Sequence, residues 1–87
     1  MVNKNKQCYV CGRQTALQRH HMIHGTANRK KAEQYDLTCY LCVECHRAVH
    51  DYNTDLDRRL MKDAQTFFEK RIGTREDFRK EFGKSFL

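Results

Sequence analysis

The chain has 87 residues, 39% of them hydrophobic, with no tryptophan, a mean hydropathy of −0.92 and a formal net charge of +6. That length predicts one domain with a thin core, and a small scaffold with a thin core needs a staple, either disulfides or a metal. No apolar run approaches the roughly 20 residues of a membrane helix, and no apolar segment follows the polar Met1–Lys6 run as a signal peptide would require, so a reducing, cytoplasmic setting is expected.

In chain order, residues 1–7 are polar and expected to fray. Cys8-Tyr9-Val10-Cys11-Gly12 has the form of a zinc knuckle, in which a tight turn aims two sulfurs at one point and Gly12 supplies positive φ. A thioredoxin-type redox site is the rival reading of Cys-x-x-Cys, but no βαβ pattern surrounds it. Arg13 to Arg19 is expected to be a loop, His20 to Ile23 a strand end, and Gly25 to Asn28 a turn. Arg29 to Tyr35 is a basic, helix-competent segment, read either as a solvated face or as a set of phosphate contacts. In Leu37 to Leu41, Leu37, Cys39 and Leu41 alternate with Thr38 and Tyr40, which predicts a second strand with Cys39 as a small core residue.

Cys42-Val43-Glu44-Cys45 is a second knuckle, 30 residues after the first. In a reducing setting two such pairs point to a structural Zn²⁺ held by Cys8, Cys11, Cys42 and Cys45, with the fifth cysteine, Cys39, left over. The helix that follows carries His46 and His50 four apart, one turn apart on one face. Thr54 and Asp57 have the spacing of a capping box, and the helix they open carries Leu56, Leu60, Met61, Ala64, Phe67, Phe68 and Ile72 as a core-facing stripe ended by Gly73. Thr74 and Asp77 form a second box before a short helix with Phe78 and Phe82 on one face, stopped at Gly83, after which Phe86-Leu87 is expected to tuck back. Residues 52–87 therefore read as scaffold.

The histidines suggest chemistry. A catalytic metal needs about three protein ligands and an open position. Histidines at a strand end and two on one helix face supply three. Adjacent strand residues point to opposite faces, so of His20 and His21 one binds the metal and the other is free for proton transfer. His24 is read as an ordinary turn residue. Such a site suits phosphodiester hydrolysis, with Lys and Arg holding the backbone of a polyanion. Three neutral imidazoles favour Zn²⁺ or Ni²⁺ over Mg²⁺, which prefers oxygen.

On His20-His21, the Leu37 to His46 run and the Cys45-His46-x-x-x-His50 ending, residues 8–50 resemble the HNH nucleases. The likeness extends to the colicin nuclease domains and to zinc-stapled HNH domains of phage and bacterial genomes. The resemblance implies an α+β, treble-clef-like ββα-metal fold with C-terminal helices and a metal-dependent DNA endonuclease activity. It implies His21 as general base and His20, His46 and His50 as ligands of a catalytic divalent metal (Zn²⁺, Ni²⁺, Mn²⁺ or Mg²⁺). It makes Asp36 the residue that orients the base in place of the family's Asn, with Asn28 further back as the other candidate. Arg19, Arg29, Lys30, Lys31 and Arg47 are the expected DNA contacts. The expected partner is DNA, bound by a monomer or weak dimer, with a larger phage or host protein as a further candidate partner. The alternative is a non-catalytic zinc module that binds DNA or protein, including an adaptor or inhibitor that mimics an HNH domain. A zinc deaminase is a third and poor reading, given the missing His-x-Glu and the absence of proline.

Overall fold

The computed structural model describes residues 1–3 and 5–87. Among these residues the protein is α+β, with a two-stranded antiparallel sheet and four helices. Strand β1 (Leu17–His21) pairs with β2 (Thr38–Cys42), and helix α1 (Thr26–Gln34) lies in the connection between them. Helix α2 (Val43–Asp51) leaves β2 without a loop, and α3 (Thr54–Arg71) and α4 (Arg75–Phe82) form the C-terminal part. No helix among the described residues is long and apolar enough to cross a membrane.

Strand β1 begins at Leu17, three residues before the expected start, because the ladder runs on until Leu17 faces Cys42. Further along, His20 faces Cys39 and His21 faces Thr38. Strand β2 is covered on both faces: Thr38, Cys39, Leu41 and Cys42 are buried. The N-terminal run, expected to fray, is instead tied down along β2. Val2 N–H donates to the Thr38 carbonyl at 2.7 Å, and Tyr40 N–H donates to Asn3 Oδ1 at 3.1 Å. Lys4, in the same run, lies outside the described residues.

The core is built on Phe68. Its ring meets Tyr35 and Phe78 edge-on, each at 5.3 Å between centroids, and Phe82 packs on Phe78 at 4.7 Å. Leu60, Ala64, Phe68, Phe78 and Phe82 are all buried, so these residues of the stripe serve packing. Ile72 departs from the expected stripe and is exposed. The tail does tuck back: buried Gln65 accepts from Phe86 N–H at 2.7 Å and donates to Ser85 Oγ at 2.9 Å.

The cap of α3 differs from the expected one by a residue. Asn53, not Thr54, is the N-cap, accepting from Leu56 N–H at 2.9 Å. The physical reason lies in the acid of the expected box, since the Asp57 carboxylate is bound to His24 instead. The second box forms as read: Thr74 N–H donates to Asp77 Oδ2 at 2.9 Å and Asp77 N–H to Thr74 Oγ1 at 3.2 Å.

Candidate metal centres

The first centre joins the two knuckles. The sulfurs of Cys8, Cys11, Cys42 and Cys45 all lie within 4.8 Å of one another. The two turns share a design: Cys11 N–H points to Cys8 Sγ and Cys45 N–H to Cys42 Sγ, both at 3.5 Å. Such bonds favour the thiolate that a metal needs. Burial opposes ionisation of Cys8, yet the backbone N–H groups of Cys11, Cys42 and Val10 bring its thiol down to about 6. Gly12 takes φ 81°, which lets the first knuckle close. Cys39 stays outside the quartet. It is fully buried, and burial raises its thiol to about 12, as for an inert core residue. The second knuckle also starts α2: the side chain of Cys42 is the N-cap of that helix. One sulfur therefore belongs both to the cysteine cluster and to the helix that carries His46 and His50.

The second centre lies on the other side of the same helix start. Strand alternation gives Gln18 and His20 one face of β1 and Arg19 and His21 the other. His20 meets His46 and His50 of α2, with ring centroids 5.2 and 5.4 Å away, and His46 and His50 are 4.7 Å apart. One nitrogen from each of the three lies within 4.8 Å of the others. His50 Nε2 and His46 Nε2 face each other at 3.0 Å, while His46 Nδ1 is fixed at 2.6 Å by Gln18 Oε1. The amide oxygen only accepts, so His46 Nδ1 carries the proton and Nε2 keeps its lone pair for the cluster.

His20 is the sharpest sign of a metal. It is 1% exposed, and its Nε2 is buried with no hydrogen-bond partner among the described residues. A buried polar nitrogen without a partner costs free energy, about 1–3 kcal/mol, and a cation among three imidazole nitrogens removes that cost. Burial, then the neighbouring His46, His50, His24 and His21, push the His20 imidazole down to about 3, so it is neutral near pH 7 and its lone pair is free. Burial and His50 lower His46 in the same way. The donor set fits a divalent transition metal.

His21 lies apart from this cluster. Its Nε2 is 2.9 Å from Glu33 Oε1 on α1, and Arg19 Nη1 approaches the same oxygen at 3.9 Å. The carboxylate accepts, so Nε2 donates and Nδ1 is left as the basic atom. The bond to His21, and after it Arg19, lower the Glu33 carboxyl from its ordinary range.

Two sequence expectations are corrected here. Asp36 does not meet His21. It sits at the turn from α1 to β2 with φ 59°, which turns its side chain to a separate cavity shared with Met1, Asn3 and Tyr40, where it lies 3.8 Å from the N-terminal ammonium. Asn28 is not the partner either, because its amide donates to the His24 carbonyl at 2.7 Å. Glu33 holds that place, although nothing in its spacing from His21 marked it; helix α1 brings it back over the strand.

An open cavity of about 570 Å³ unites the two sides, lined by His20, His21, His24, His46, His50, Arg19 and Arg29 among others. Of the expected DNA contacts, Arg19 and Arg29 line this cavity and Lys30 is exposed nearby on α1. Arg47 is exposed on α2, 3.7 Å from Asp51. Lys31 is turned away, its ammonium donating to the Glu81 carbonyl at 2.6 Å near the end of α4, so it serves helix docking. Compared with models of known protein families, with curated proteins and with solved structures, the chain gives no significant match in any of the three.

Proposed function

We propose that the chain is a metal-dependent DNA endonuclease of the HNH type, with a ββα-metal core of β1, β2 and α2 and a structural zinc at its four cysteines. The observation that carries this reading is the division of neighbours on β1. His20, whose Nε2 is buried without a partner among the described residues, is gathered with His46 and His50, while His21 lies in the same cavity with its Nε2 bonded to Glu33. A purely structural metal site has no use for a free imidazole beside a ligand.

His20, His46 and His50 would hold the catalytic metal. When bound there, the metal supplies charge stabilisation at phosphorus and at the leaving 3′ oxygen. His21 Nδ1 takes the proton of a water molecule, and that water attacks phosphorus. Glu33 holds the imidazole and stabilises its protonated form, the role an orienting carboxylate plays for other catalytic histidines. Arg19 and Arg29, on the cavity wall, hold non-bridging phosphate oxygens, and Lys30 and Arg47 extend the basic surface along the backbone.

The test is nicking of supercoiled plasmid with Mg²⁺, Mn²⁺, Ni²⁺ or Zn²⁺. Wild type nicks with at least one of these ions, and His21→Ala lowers the rate by about 10²–10⁴-fold with metal content unchanged. DNA binding with no nicking under any of the four ions would discard the enzyme and leave the non-catalytic zinc module.

A further inference from the structure

We propose that His24 is a fourth, displaceable ligand of the histidine centre, held ready by Asp57, so that four imidazoles close the site until substrate opens it. The inference rests on the metal-binding half of the proposed function and not on DNA cleavage. His24 lines the same cavity, with its ring centroid 5.9 Å from both His20 and His50. In a tetrahedral four-imidazole site with metal–nitrogen bonds of about 2.1 Å, ring centroids stand about 5.2 Å apart. The pairs among His20, His46 and His50 span 4.7–5.4 Å; His24 stands outside that triad of ligand atoms, and a shift of its exposed turn brings it to the metal.

Its tautomer is already set. His24 Nε2 bonds to Asp57 Oδ1 of α3, so it carries the proton, and Nδ1 keeps the lone pair. A carboxylate behind an imidazole is the usual arrangement for a metal-bound histidine, because it fixes the ring and raises its basicity. Within the turn, Asn28 Nδ2 donates to the His24 carbonyl at 2.7 Å. Position explains why this ligand is the one that leaves. His20 is locked in a strand and fully buried, and His46 and His50 share a helix, whereas His24 stands exposed in a turn before Gly25, which takes φ 108°. Movement of His24 disturbs no ladder or helix bond, and it frees one position for water or a phosphodiester oxygen.

The experiment loads Co²⁺ into protein that keeps zinc at its cysteines and counts the exchangeable, hyperfine-shifted imidazole N–H signals by NMR. Because His24 is exposed, its replacement leaves no buried gap, so His24→Ala folds. Wild type shows one more such signal than His24→Ala, and both His24→Ala and Asp57→Asn bind Co²⁺ about 10–100-fold more weakly. Equal signal counts and equal affinity in wild type and His24→Ala overturn the proposal. If wild type takes up no more Co²⁺ than His50→Ala, the histidine centre itself is absent, and this inference falls with the metal site of the proposed function.

Discussion

One peptide bond separates His20 from His21, and the strand turns that step into two environments. His20 is buried among imidazoles and kept neutral; His21 faces a carboxylate on α1. The division was legible in the sequence, because alternation along a strand needs only the strand. The partners were not. Glu33 reaches His21 only because α1 folds back over β1, and the acid that its position in sequence favoured, Asp36, is turned away by a left-handed backbone at its own residue. His24, read as a turn residue, bonds to Asp57, 33 residues away on another helix, a contact that no local spacing marks. Glu33→Gln keeps the size of the side chain and removes its charge. On the proposed function it slows nicking by about tenfold, less than His21→Ala, with bound metal unchanged, because it weakens the hold on the proposed base without removing it. A Glu33→Gln protein that cuts at the wild-type rate would show that the carboxylate does not serve the base.

At the scale of elements, capping decides where helices start, and the caps divide into those the local sequence fixes and those that distant residues redirect. Thr74 and Asp77 are fully local, and their box forms as read. Thr54 and Asp57 have the same spacing, but Asp57 is claimed by His24 and the cap moves to Asn53. The α2 cap is a cysteine, so that helix is coupled to the cysteine cluster. The local box carries a pH prediction. Hydrogen bonds from the Thr74 backbone N–H, and then its side chain, lower the Asp77 carboxyl below its ordinary value. A carboxyl lowered by folding stabilises the fold above its unfolded value, about 3.9, and that contribution disappears as pH falls through the folded value. Thermal unfolding followed from pH 7 down to pH 2 should therefore show Asp77→Asn less stable than wild type at neutral pH, with the gap closing in acid. A gap that stays constant across that range would mean that the carboxylate charge contributes nothing.

For the whole molecule, the two centres are a single construction. Cys42 and Cys45 open α2, and His46 and His50 follow on the same helix, so the element that completes the cysteine quartet also aims two of the three histidines. An 87-residue chain buries only about 60–65% of its unfolded surface, too little for a core to fix that geometry unaided. The cysteine spacing made the quartet readable, because each knuckle is local, and the strand and helix patterning with the family resemblance made the general α+β plan readable. The docking of α1 and of the N-terminal run along β2 was not readable, since it depends on surface that exists only once the sheet has formed. The central claim is that the chain holds two metals at two distinct centres, one of thiolates and one of imidazoles. Native mass spectrometry of zinc-loaded wild type beside His50→Ala tests it most directly. Two zinc ions in wild type and one in the variant are the predicted result; a single zinc in both, or two in both, would contradict it.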